Sequence, residues 1–399
     1  MSCVSIEKAA GYDRQIILDT VRKSFANLGG VEKFIKPGMT VVLKPNLVLG
    51  KTPETAATTH PELVRAVGQI VRQAGARAVL AESPGGPYTP QRLKAVYTTT
   101  GMTGAAQDAG IELNYDTSSR KLDNPAGKYL KKTEIITPLA EADVIINLCK
   151  LKTHGQMVYT GAAKNMFGAV PGILKAEYHM RMPEYDRFAD TLIDIFLSVR
   201  PALSIMDGVV AMEGCGPTAG TPRQAGLILA SEDAFALDLS AAAIIGAEPD
   251  AIPMLRQARL RGLAPQSLDA ITFPAETPET VRVRDFVIPQ LDHLRAVDFL
   301  KNNALLSALS EKLRPYPVFT GQCVKCGDCV RACPVSVIRM GKNRPCADLG
   351  KCIRCFCCQE LCPAKAVKME RHPLARALLR AVEVAMSVYN LIMPAPVSR

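Results

Sequence analysis

Cysteines near the C-terminal end of the 399-residue chain are spaced for metal chemistry. One run reads Cys323-Val-Lys-Cys326-Gly-Asp-Cys329-Val-Arg-Ala-Cys333-Pro334. A second reads Cys352-Ile-Arg-Cys355-Phe-Cys357-Cys358-Gln-Glu-Leu-Cys362-Pro363. Each is a Cys-x2-Cys-x2-Cys-x3-Cys-Pro run. Three thiolates so spaced wrap three corners of a [4Fe–4S] cubane. The fourth lies too far along the turn and reaches across to a second cubane. The expected ligand sets are therefore Cys323, Cys326, Cys329 and Cys362 for one cluster, and Cys352, Cys355, Cys358 and Cys333 for the other. Zinc usually takes two separated ligand pairs and has no use for a doubled run ending in proline. Disulfides need an oxidising compartment, which nothing in the sequence suggests. Cys346 and Cys357 fall outside the pattern and read as unligated small residues, although Cys357 could be a spare thiol near a cluster.

A second set of polar residues sits at the ends of apolar runs in the first 250 residues. Lys44 and Asn46 follow Thr40-Val-Val-Leu43, and Glu82 and Ser83 follow Ala78-Val-Leu-Ala81. Lys150, Lys152, Thr153 and His154 follow Val144-Ile-Ile-Asn-Leu148, and Asp207 follows Ala202–Met206. Open parallel sheets bind ligands beyond the carboxyl ends of their strands. Lys44, Lys152 and Lys164 are expected to hold a carboxylate or phosphate; plain surface lysines are the competing reading. Asn46, Lys150, Asn165 and Asp207 are expected beside them as binding residues. His154 titrates near neutrality and is a candidate proton donor, with Lys152 as its catalytic companion; a satisfied loop histidine is the alternative. His60 reads as a helix-start residue. His154, His179, Cys149, Cys215, Asp207 and Glu213 match no metal signature. The loop Gly214–Gly220 lacks both the Walker and the dinucleotide pattern, so it reads as a turn. No Gly-x-Ser-x-Gly elbow marks a serine hydrolase.

The elements that must position these residues alternate. Helical spacing runs through 14–36, then strand 40–43, then a helix with Thr59 as N-cap and Pro61 in its first turn. Strand 78–81, helices near Pro90 and at 104–110, strand 111–115 and strand 144–148 follow. An amphipathic helix at 188–199, strand 202–206, strand 226–230 and helix 233–245 come next, with helices expected at 250–261 and 291–313. The fold class that follows is α/β: three layers, a mostly parallel sheet with helices on both faces. A small α+β ferredoxin-like two-cluster domain and a C-terminal helix complete it. The expected boundaries are 1–318 for the α/β domain, 319–370 for the cluster domain, and 371–399 for an amphipathic helix (373–393) and tail. That helix reads as packing on the protein, with a membrane-surface role as the alternative.

Composition is that of an ordinary globular protein, 48% hydrophobic and 22% charged. No apolar run approaches the ~20 residues of a membrane span, and the first 25 residues lack a secretion signal. With its cysteines reading as cluster ligands, the protein is expected in a reducing cytoplasm. The net charge of +10 is concentrated after Thr320, where 13 Lys and Arg face 5 Asp and Glu. Part of that excess offsets anionic clusters. The rest would steer an acidic redox partner such as a ferredoxin or flavodoxin. Trp is absent and no nucleic-acid motif accompanies the basic patch, so nucleic-acid binding is not expected.

Leu43-Lys-Pro-Asn46, Leu151-Lys-Thr-His154, Lys164-Asn-Met-Phe-Gly168, Met206-Asp-Gly208 and Glu213-Gly-Cys-Gly-Pro217 resemble, in order, the motifs of the iron–sulfur proteins called the domain of unknown function 362 family. The resemblance covers roughly 40–250, and a bacterial-type two-cluster ferredoxin module extends it to about 370. It implies a cytoplasmic α/β protein with ferredoxin-type clusters, and Lys, Asn and His positions that form a site; it names no reaction. Two functions fit. In one, an oxidoreductase passes single electrons to an anionic small molecule, or to a further organic cofactor, held by the α/β domain. In the other, a carrier or accessory protein relays electrons or serves metal-centre assembly.

Overall fold

One strand of eleven residues, Val144–His154, is buried along its whole length and anchors the architecture of the computed structural model. The structure describes residues 1–172, 174–182, 184–289, 314–373 and 377. The main sheet comprises β1 (Ser5–Lys8), β2 (Thr40–Pro45), β3 (Arg77–Leu80), β4 (Glu112–Leu113), β5 (Val144–His154), β6 (Val158–Thr160), β7 (Leu203–Glu213) and β8 (Thr221–Ser231). Their order is β1-β8-β7-β5-β2-β3-β4, with β6 folded back on β5. Strands β4, β3, β2, β5 and β7 run parallel. At the β7 edge, β8 and β1 are antiparallel additions.

Side-chain alternation sorts the apolar residues into layers. Leu43, Ile146 and Leu148 face helices α1 (Arg14–Asn27) and α2 (Pro61–Gln73). Val42 and Ile145 face the opposite side. There lie α3 (Ala162–Asn165), α4 (Leu174–Arg181), α5 (Tyr185–Val199) and α6 (Ala234–Ile245). The three-layer α/β class expected from the alternation is the one observed. Two local readings change. The polar stretch 149–154 is strand, not loop. Strand β7 runs alongside it, pairing Asp207 with Lys150, and β6 turns back to pair with Lys152, Thr153 and His154. Its backbone groups are thus satisfied on both edges. Strand 202–206 lengthens in the same way to Glu213, because the antiparallel β8 supplies a partner throughout, and the glycine-rich 214–220 becomes the hairpin turn. Second, the N-cap of α2 is His60, whose Nδ1 accepts the Glu62 N–H at 3.2 Å. Thr59 instead donates to the Leu148 carbonyl and accepts the Asn46 N–H, fastening β2 to β5. The expected helix 250–261 is Pro253–Leu260. The helices expected at 291–313 and 373–393 lie, apart from two residues, outside the described ones.

The cysteine module is a duplication. Strand β9 (Tyr316–Phe319), helix α7 (Asp328–Arg331) and strand β10 (Ile338–Met340) are repeated as β11 (Pro345–Ala347), α8 (Cys357–Glu360) and β12 (Val367–Glu370). Left-handed residues recur at matching places: Lys325 and Arg354, Gly327 and Phe356, Ser336 and Lys365. The strands pair crosswise, β9 with β12 and β10 with β11. Each half is therefore closed by the other. Strand β9 begins ahead of the expected boundary at 318/319, and its pairing with β12 assigns it to the module.

Candidate functional site

The crosswise strand pairing brings thiols of the two halves together. Cys323, Cys326, Cys329 and Cys362 line one small void under Phe319, Met340 and Val367. Burial, then the neighbouring Cys326, Cys362 and Cys323, push the free Cys329 thiol up to about 11. Cys352 is raised by burial, with Cys355 and Cys333 adding to it. Cys358 is raised by burial and by Cys355, Cys352, Cys329 and Cys333. Cys362 of the second half thus lies with Cys323, Cys326 and Cys329, and Cys333 of the first half is a neighbour of Cys352 and Cys358, although no three of these side chains close into a compact metal-holding group among the described residues. Crowded thiols ionise together only when cationic iron compensates them, so the donor sets fit cubanes. Cys346 is exposed, on the strand β11. Cys357 is buried and hydrogen-bonded to Cys355, whose thiol that contact lowers.

Helices α7 and α8 turn their remaining faces to the α/β domain. A cavity of about 660 Å³ opens between them and the carboxyl ends of the sheet. Asp328 and Arg331 of α7, and Cys357 and Glu360 at the matching positions of α8, form one wall. Lys44, Asn46, Glu82, Lys152, His154, Lys164, Asn165, Lys175 and His179 form the other. The module is held there by Thr218 donating to the Glu360 carbonyl at 2.9 Å, Lys51 to the Pro363 carbonyl at 2.6 Å and Lys365 to the Gly220 carbonyl at 3.3 Å.

The cavity floor is a hydrogen-bonded network. Lys44 ion-pairs with Glu82 and donates to Asn165 Oδ1 at 3.2 Å. Asn165 Oδ1 also accepts from Asn46 at 2.8 Å, and its Nδ2 donates to Asn147 at 2.7 Å. Lys152 Nζ donates to Asn46 Oδ1 at 2.7 Å and to the Ala57 carbonyl at 2.6 Å. Gly168 closes over the pair, since a Cβ there would stand 2.1 Å from Glu82 Oε1 and 2.5 Å from Lys44 Nζ. Lys164 lies 6.0 Å from the Phe167 ring centroid, with no carboxylate in ion-pair contact among the described residues. Lys175 donates to the Ser83 carbonyl, to Ser83 Oγ and to the Pro84 carbonyl. Burial lowers all four lysines, Lys152 well below its ordinary range and Lys175 to about 7.

His154 joins the two walls. Its Nδ1 accepts the Gln156 N–H at 3.1 Å, so Nε2 carries the proton and faces Glu360 Oε1 at 3.0 Å. Burial, with Lys164 adding to it, pushes the imidazole down to about 4 against the pull of Glu360. Burial alone would raise Glu360, but His154, Lys164 and His179 outweigh it and hold the carboxyl down at about 2. Near pH 7 the pair is a neutral imidazole set against a carboxylate whose Oε1 accepts no well-aligned hydrogen bond among the described residues.

The structure therefore brings Lys44, Asn46, Lys152, His154, Lys164 and Asn165 to one cavity. Lys150 and Asp207 lie outside it. They form a separate buried ion pair at 2.7 Å, where Asp207 also accepts from Tyr12 and from the His60 N–H. Lys44 lines the cavity, but its charge is matched by Glu82. Lys175, Glu360 and Cys357 were not expected as members. No sequence signal ties them to the sheet: Lys175 lies on a short helix with ordinary surface spacing, and Glu360 and Cys357 sit inside a cysteine run that reads as ligand scaffold.

Residues 41–243 match a family described as domain of unknown function (DUF362), and residues 316–339 match a 4Fe-4S binding domain. The thylakoid-associated protein sll1697 of Synechocystis sp. is 34% identical over 308 residues, spanning 74% of this chain and 90% of that protein. Among solved structures, the lactate racemase apoprotein from Thermoanaerobacterium thermosaccharolyticum is similar at a TM-score of 0.37 and 12% identity, over 59% of this chain and 55% of that one. No helix of the described residues is long and apolar enough to cross a membrane.

Proposed function

The chain belongs to the DUF362 family and carries a 4Fe-4S binding domain, and from that premise we propose that it is an oxidoreductase in which two [4Fe–4S] clusters serve an anionic small molecule held in the cavity. One observation carries this reading. The helix between ligands Cys355 and Cys362 is itself a wall of the lysine-lined cavity, through Cys357 and Glu360. Clusters held by Cys323, Cys326, Cys329 and Cys362, and by Cys333, Cys352, Cys355 and Cys358, would supply single electrons at that wall. The chain's own residues do the rest. Lys152 and Lys164 attract and orient the anion. The His154–Glu360 contact seals the module onto the sheet and keeps water from that edge of the cavity. Lys175, tuned to about 7, is better placed than His154 to hand a proton to a reduced product, because its pKa lies at the working pH. Electrons enter from an acidic carrier at the opposite side of the module. There Val324 and Cys326 are exposed on either side of the exposed Lys325. Thiolate-bound clusters favour a reducing, cytoplasmic setting.

The test is anaerobic reoxidation. Dithionite-reduced protein is mixed with carboxylates and phosphates, and recovery of cluster absorbance is followed. A compound that restores absorbance in the native chain but not in Lys164→Ala supports the oxidoreductase. If no small molecule restores it while an oxidised acidic carrier protein does, the chain is a relay and the oxidoreductase reading is wrong.

A further inference from the structure

The charges around the cavity do not balance. Its lining includes four lysines, Lys44, Lys152, Lys164 and Lys175, and Arg92, against Glu82, Glu360 and an Asp328 that is paired with Arg331. Glu82 is bound by Lys44, and Glu360 faces the neutral His154. The partners of Lys152 are a side-chain amide oxygen and a backbone carbonyl, and those of Lys175 are a hydroxyl and two carbonyls. Lys164 lies over the face of Phe167 and feels Glu360 across the cavity, with no hydrogen bond or ion-pair contact among the described residues. An ammonium withdrawn from water without a counter-ion is costly, and it persists where a ligand completes the pairing. A monoanion would answer only one of Lys152 and Lys164; a group carrying two negative charges answers both. A cavity of about 660 Å³ is also far larger than a bare phosphate, and falls in the range of organic ligands.

We propose that the cavity's ligand presents a dianion, a phosphate monoester or a pair of carboxylates, to Lys152 and Lys164, with its body extending along Phe167 and the α8 wall. The inference rests on reading the cavity as the reactant site and adds the charge its occupant must carry. Lys152 has one ammonium donor beyond its two bonds, and Lys164 has all of its donors available to a ligand. Burial holds both lysines below their ordinary range, and a dianion between them favours their charged forms.

The experiment is calorimetric titration of the anaerobically purified full chain with inorganic phosphate, malonate and acetate. The expected result is binding of at least one dianion about tenfold or more tighter than acetate. Phosphate ahead of malonate identifies the phosphate monoester; the reverse identifies the dicarboxylate. Lys164→Gln, whose side chain holds no structural bond, is expected to weaken dianion binding about tenfold or more, and Lys121→Gln on an exposed distant hairpin to leave it unchanged. No binding by either dianion, acetate binding as tightly, or unaltered affinity in Lys164→Gln overturns the proposal. Failure here is separable from failure of the redox reading. Reoxidation of the clusters by a neutral or monoanionic compound would keep the oxidoreductase and discard the dianion. Dianion binding without any reoxidation would do the opposite.

Discussion

Lys44 and Glu82 show how a single pair can be indispensable without being strongly stabilising. Both side chains are buried almost completely. Burial pulls the Lys44 ammonium down and pushes the Glu82 carboxyl up, and each is restrained by the other. Desolvating two charges offsets much of their attraction, whereas removing one partner leaves the other uncompensated. Glu82→Gln and Lys44→Met are each expected to cost about 3–5 kcal/mol of stability by chemical denaturation. The double variant is expected to cost clearly less than their sum, because the second change removes the charge that the first stranded. Strictly additive costs would show that the two side chains are held by separate interactions. The same residues illustrate why the site was only half legible. Lysine after an apolar strand signals a group near the sheet's ligand-binding edge, and Lys44, Lys152 and Lys164 do meet there. Nothing in a linear sequence distinguishes a lysine answered by a carboxylate from one that is not. Glu82 lies far from Lys44 in sequence and reaches it only because β2 and β3 are neighbours.

At the scale of elements, parallel strands separated by helices announced the three-layer sheet, because apolar runs buried on both faces need cover on both sides. The ends of those strands were less legible. Lys150, Lys152 and His154 read as loop residues by polarity, yet tertiary pairing with β6 and β7 extends the ladder through them and overrides local preference. The cysteine spacing marked a 4Fe-4S binding domain, which residues 316–339 match, since cluster geometry fixes spacing more tightly than packing does. The duplicated halves make its cross-ligation testable. Cys329 belongs to the set closed by Cys362 from the other half, while Cys346 stands exposed on a strand. Cys329→Ala is expected to retain about half of the iron and acid-labile sulfide of the native chain, and Cys346→Ala all of it. Equal losses in the two variants would contradict the ligand sets.

For the whole molecule, the decisive relation is between a large sheet domain with its own core and a module that has very little. The module's buried apolar side chains are few, mainly Phe319, Ile338, Phe356, Ala366 and Val367 beside the cysteines themselves. The α/β domain buries three extensive layers. A segment this short rarely folds on hydrophobic burial alone and draws its stability from bound metal. Iron removed by a chelator under anaerobic reducing conditions is therefore expected to unfold residues 316–370 while the sheet persists. Hydrogen–deuterium exchange checks this directly. Amides of β9, β10, β11 and β12 should exchange freely after chelation, while those of β2, β5 and β7 stay protected. Exchange should also rise at Thr218 and Lys51, whose side chains hold the module, and around His154, which loses Glu360 from its Nε2. The cavity then opens on one side, and dianion affinity falls even though every lysine remains in place. Persistent protection of β9 and β12 without iron would mean that the module folds by packing, and that cluster loading and cavity closure are independent of one another.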